Sequence, residues 1–210
     1  MSQRLDLQRI ERNAYRDSVR DGLMEIVLGL FLLLLAPGLL SSRAYLVMPL
    51  VLFTVFFAPR LIDRLRRRLT YPRIGYVELL PEDPRRLGLG MLAFFLAGIA
   101  VVIVALLVTG TLADARSWYR WAPLLFAVAS SGGFLSVAFR SAYIRYYLFT
   151  GLSLASGLAF SLMHFPGRLE GLGLQLLTLG AVLLLWGAAV LVRFLRSNPV
   201  LPEGTDNGRE

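Results

Sequence analysis

Six apolar blocks, most of them close to the thickness of a bilayer, dominate this sequence: Gly22 to Leu40, Ala44 to Pro59, Leu87 to Leu112, Trp121 to Phe139, Tyr146 to Phe165 and Gly171 to Val192. A helix needs about 20 apolar residues to cross the hydrocarbon core. The blocks exceed strand length and lack the alternation of barrel strands. Backbone groups in lipid must be bonded inside helices or a closed barrel. The expected fold is therefore all-α, an integral membrane bundle of six transmembrane helices. Only Ser41, Ser42 and Arg43 separate the first two blocks, so residues 22–59 are expected to form a helical hairpin. The second block is short, and a re-entrant segment is its alternative reading. Residues 87–196 carry spans three to six.

Composition agrees. Apolar residues make up 56% of the 210, and charged residues 17%, against about 25% in soluble domains. Cysteine is absent, which excludes disulfides, thiol catalysis and Cys-based metal sites. His164 is the single histidine, so one chain cannot build a multi-histidine metal site. No metal or cofactor is expected. The first block is longer than a signal-peptide core and follows a segment with acidic positions, so an uncleaved first span is expected.

Net charge is +8, and all 22 cations are Arg. In a soluble protein this balance would suggest nucleic acid; here the placement of the charges excludes it. The segments that alternate to one side of the six-span layout hold 18 Arg, and the three intervening loops hold Arg43, Arg116, Arg120 and Arg168. Cytoplasmic loops carry the excess of Lys and Arg. The expectation is a bacterial inner-membrane protein with both termini cytoplasmic and a basic inner face against anionic lipid.

Outside the spans, residues 1–21 read as a cytoplasmic amphipathic segment, with Leu7, Ile10 and Ala14 at helical spacing. Residues 60–86 form a basic cytoplasmic loop. It begins as a basic helix continuing span two, with Pro72 expected to end it and Pro81 and Pro84 to turn the chain back. Residues 197–210 read as a disordered cytoplasmic tail.

Glu25 is the one acidic residue inside an apolar block, and an intramembrane ionisable group is a candidate site. With Asp17 and Asp21 it forms an acidic line at helical spacing. The competing reading places Glu25 in the first turn, at the interface, stabilised by the helix dipole and paired with Arg20 or an Arg of the 60–73 stretch. Glu25→Gln would then cost only about 0.3–1 kcal/mol. Ser130 and Ser131 in span four and Ser153 and Ser156 in span five lie among small residues. They suit close helix packing, or a polar seam lining a substrate path, with Gln175 of span six joining it. Gly173, Gly180 and Gly187 recur every seven residues, which gives span six a small face for a neighbour in the chain or in a second subunit. His164, with Asp114 or Glu170, forms a weak outer-end metal or proton-shuttle pattern; ordinary polar contacts are the plainer reading. No phosphate loop, zinc-protease helix or nucleophile elbow is present.

Arg66, Arg67 and Arg68, with Tyr71, Arg73 and Tyr76, are the candidate lipid or partner contacts of the basic loop. The string Tyr71-Pro72-Arg73-Ile74-Gly75-Tyr76-Val77, with Asp21-Gly22-Leu23-Met24-Glu25-Ile26 opening span one, resembles an uncharacterised group of small bacterial multi-spanning membrane proteins. The resemblance implies bacterial origin and no defined activity. Three functions stay open. The first is a non-enzymatic membrane assembly or sensor component, with lipids and a homo-oligomer or protein partner as its contacts. The second is a small transporter using the seam, with Glu25 as its coupling site. The third is a lipid-modifying enzyme. A closed bundle favours the first, and polar groups converging on a cavity favour the second.

Overall fold

The computed structural model describes residues 19–41, 47–70, 84–108, 110 and 115–199. Among the described residues six helices follow in order: α1 (Leu23–Leu40), α2 (Val47–Leu69), α3 (Pro84–Val108), α4 (Ala115–Ser141), α5 (Ile144–Leu162) and α6 (Glu170–Ser197). Among the described residues every regular element is a helix. Each apolar block of the sequence falls on one of them. The bounds differ where charged residues continue a helix beyond its apolar core. The basic stretch joins α2 without a break. Arg85 and Arg86 belong to the first turn of α3, which opens on Pro84, a residue suited to that place because its missing N–H is not needed there. α4 begins six residues ahead of its apolar block, so Arg116 and Arg120 are helical rather than in a loop.

Three helices are long and apolar enough to cross a membrane: α1, the Ser117–Ser141 part of α4, and α6. Their most apolar windows are only 33–39% buried within the chain. The outward faces carry Leu34, Val104, Val108, Phe139, Ile144 and Leu185, all more than half exposed. So much outward apolar surface is costly in water and neutral in lipid.

The tightest pairing is between α1 and α6, which run antiparallel. A Cβ added at Gly29 would lie 2.6 Å from the Leu184 nitrogen and 2.7 Å from the Gly180 oxygen. One at Gly187 would lie 2.9 Å from the Gly22 oxygen. The seven-residue glycine repeat of α6 thus faces α1, inside the chain, and meets a matching repeat of Gly22, Gly29 and Ala36. Lipid gives apolar helices no hydrophobic reason to associate, so backbone approach through small residues supplies the attraction. Gly22 is required twice over: its φ is 74° and its missing Cβ leaves room for the Gly187 oxygen at 2.7 Å.

α4 and α5 form the second antiparallel pair, joined by a turn at Ala142, whose φ is 54°. The Ala142 N–H donates to the Ala138 oxygen at 2.8 Å, and the Ser141 hydroxyl to the Val137 oxygen at 2.7 Å. α4 passes through Gly132-Gly133 as unbroken helix. At its other end, the Leu124 N–H beside Pro123 donates to the Ser161 hydroxyl at 3.1 Å, and Arg120 Nε donates to the Ser161 carbonyl at 3.1 Å. A cation there satisfies the last carbonyls of α5. α2 lies against α1 and α3 against α4, while α6 touches both α4 and α5.

The glycine contacts separate two substitutions of the same chemistry. Gly180→Ala brings a methyl to 2.9 Å from the Gly29 oxygen, and should cost about 1–3 kcal/mol by overpacking. Gly133→Ala meets open space and should be neutral or stabilising by up to about 1 kcal/mol. Unfolding in detergent checks the order.

Candidate functional site

A group of charged side chains joins the N-terminal end of α1, the C-terminal end of α2 and the N-terminal end of α5. Gly22 in its left-handed conformation starts α1 and leaves Asp21 just outside the helix. Asp21 is fully buried. Its Oδ1 accepts from the Leu23 N–H at 3.2 Å, satisfying one free donor of the helix start. Its Oδ2 accepts from the Thr70 hydroxyl at 3.0 Å and lies 3.3 Å from Arg66 Nε. Asp21 therefore fastens the end of α2 to the beginning of α1.

Glu25, one turn into α1, is 2% exposed. Its Oε1 lies 3.0 Å from Arg145 Nε, an ion pair made off the direction of the N–H. Arg145 is 8% exposed and stands in the first turn of α5. Its other donors reach the Val19 carbonyl and, at 3.3 Å, the Tyr146 hydroxyl. The guanidinium lies 4.8 Å from the Tyr143 ring centre and 5.0 Å from that of Tyr146. Two carboxylates face two guanidiniums, so the cluster is neutral while each member is taken out of water.

This geometry changes the reading of Glu25. Glu25 keeps its place in the first turn of α1 but faces the bundle interior, and its partner is Arg145 rather than Arg20 or an Arg of the 60–73 stretch. Arg66 from that stretch meets Asp21 instead. The expected acidic line is divided: Asp21 lies ahead of the helix, and Asp17 falls outside the described residues. Removing one member of a buried pair leaves the other uncompensated, at about 3–5 kcal/mol, well above the dipole effect expected from sequence. Arg67 and Arg68 are exposed at the same end. Tyr71, Arg73 and Tyr76 lie outside the described residues.

Three of the five candidate seam residues, Ser130, Ser153 and Gln175, come together. The Ser130 and Ser153 hydroxyls are 2.8 Å apart, bridging α4 and α5. Gln175 of α6 is fully buried, and its Nε2 makes a long 3.5 Å contact with the Ser153 carbonyl. The Ser131 and Ser156 hydroxyls turn back to their own helices, on the Ala127 and Ser153 carbonyls at 2.6 and 3.1 Å. Gly157 lets the three helices meet: a Cβ there would stand 2.3 Å from Ala127 Cβ and 3.0 Å from Gln175 Nε2. Among the described residues no hydrogen bond joins this seam to the Glu25 cluster, and no group of three or more His, Cys, Asp or Glu is placed to hold a metal.

Neither Arg145 nor Tyr146 is among the residues that the sequence singles out. The alternation of spans places Glu25 and Arg145 at the same end of the bundle. Arg145 also stands directly before an apolar block and among tyrosines. That coincidence of depth was the available sign.

The Asp21 contacts predict a ranking. Thr70→Val should cost about 1 kcal/mol, a typical net hydrogen bond. Asp21→Ala should cost about 2 kcal/mol or more, because the helix cap is lost as well. Exposed Arg67→Gln should stay within about 0.5 kcal/mol. Thermal unfolding in detergent tests the order, and an Arg67→Gln loss equal to that of Asp21→Ala would contradict the assigned pairing.

No protein-family model matches this sequence, and no curated protein and no solved structure shows significant similarity to it.

Proposed function

We propose that this chain is a six-span component of a bacterial inner membrane, with both termini cytoplasmic, acting as a non-enzymatic assembly or sensor element. Its work is to present a fixed helical framework and a basic inner face to anionic lipid or a protein partner. The packed seam carries this reading. Hydroxyls that would line a path are bonded to each other or to backbone, and the Gly157 contact fills the space between α4, α5 and α6.

The topology has separate support. Contacts of Gly22 with Gly187 and of Glu25 with Arg145 gather one end of the bundle. Arg66, Arg67, Arg68, Arg140, Arg145, Arg193 and Arg196 all belong to that end by position along their helices. Arg120 and Arg168 belong to the other. This one-sided excess is the distribution expected of a cytoplasmic face.

The transporter reading keeps two observations in its favour: Gln175 Oε1 and Glu25 Oε2 are both buried with no hydrogen-bond partner. A carrier must rock one helix pair against another about its site. The chain has no cysteine, so spin labels are easily placed on Leu34→Cys in α1 and Leu158→Cys in α5, both outward-facing. In liposomes, the framework reading predicts one narrow distance that is unchanged by imposed proton or sodium gradients. Two distances that exchange with the gradient would favour the carrier.

A further inference from the structure

The end of the bundle opposite the charge cluster holds a cleft of about 210 Å³ between the first turns of α4 and residues 160–171. Arg120, His164 and Arg168 line it together with the rings of Tyr119, Phe160 and Phe165. Arg120 is held in place by donating to the Ser161 and Leu162 carbonyls at 3.1 and 3.4 Å. Arg168 is exposed, and its guanidinium lies 5.9 Å from the Tyr119 ring centre, at the outer limit of a cation–π contact. Its donors make no hydrogen bond among the described residues. Glu170 is the neighbouring carboxylate; its oxygen packs against Gly167, where an added Cβ would be 2.3 Å away. Among the described residues, two guanidiniums and an imidazole stand at this end of the bundle beside one carboxylate.

We propose that this cleft binds a phosphate ester, with the headgroup of an anionic glycerophospholipid as its source. Guanidinium donors match phosphate oxygens in a planar fork, and such charge-assisted bonds are the strong ones. The volume lies below the 300–1,000 Å³ typical of drug-sized ligands, so it accommodates a headgroup. The aromatic walls suit the glycerol and upper acyl carbons. Leu162 and Met163, 55% and 53% exposed, lead from the cleft to the lipid-facing surface of α5. The proposal needs only that the chain lies in a membrane. It stands whether the bundle is a framework or a carrier.

The test is photocapture at the cleft in the full chain. Met163→benzoylphenylalanine is reconstituted in vesicles of equal phosphatidylglycerol and phosphatidylcholine, irradiated, and the adducts are weighed by mass spectrometry. Phosphatidylglycerol should be captured roughly tenfold in excess, because phosphatidylcholine carries a quaternary ammonium beside the same phosphate and so sets a like charge against the two guanidiniums. Adding Arg168→Gln should bring the ratio close to one. Arg196→Gln, at the opposite end, should leave it unchanged. If Arg168→Gln fails to fold, Arg168→Lys keeps the charge without the fork and should give an intermediate ratio. In parallel, inorganic phosphate is titrated against thermal unfolding in detergent. An Arg168-dependent rise in melting temperature without lipid preference keeps the phosphate site but assigns it to a soluble ester. Absence of Arg168 dependence in both arms overturns the proposal.

Discussion

The ion pair between Glu25 and Arg145 is the constraint around which the rest of the bundle is arranged. Neither group remains charged in an apolar interior without a partner, and desolvation repeats its cost for every unpaired charge. The pair therefore holds the start of α1 at the start of α5. Arg145 extends this by binding the Val19 carbonyl, which fixes how the chain enters α1. Asp21 and Gly22 lie between these two anchors. Asp21 draws in Thr70 and Arg66 from α2, so two ion pairs a few residues apart tie three helix ends together.

Charge and packing act on the same residues. α1 approaches α6 until backbones touch, at Gly22 and Gly187 and again at Gly29 and Gly180. Glu25 lies within the first of these contacts: an added Cβ on Gly187 would be 2.9 Å from Glu25 Cβ. The glycine repeat sets the depth of α1 against α6, and the ion pair sets its rotation toward α5. In lipid, where apolar contact alone does not select neighbours, these two interactions supply selection that a hydrophobic core would give in water. Such a network suits a framework better than a coupling site, because both carboxylates are engaged with guanidiniums.

The helices were legible in the sequence because long, continuously apolar blocks suit helices and exceed strand length. The all-helical class and the approximate position of every described helix follow from them. The seam of Ser130, Ser153 and Gln175 was legible for a related reason, since small and hydroxylated residues have few roles inside lipid. What escaped was pairing across long sequence distances. Arg145 lies 120 positions from Glu25, and only its place before an apolar block and among tyrosines marks it out of 22 Arg. The partner of the α6 glycines was also open, although the Gly22, Gly29 and Ala36 repeat mirrors it. Helix ends were misplaced where charged residues extend a helix past its apolar core, as in α3 and α4, because hydropathy reports apolar character rather than hydrogen bonding.

A double-mutant cycle on the buried pair tests the central claim most directly. Glu25→Gln, Arg145→Met and the double variant are unfolded reversibly in the same detergent. Each single change should cost about 3–5 kcal/mol, because it leaves a buried charge without its partner. The double variant should cost clearly less than their sum, by about 2 kcal/mol or more. Single costs below about 1 kcal/mol that add without coupling would contradict the account.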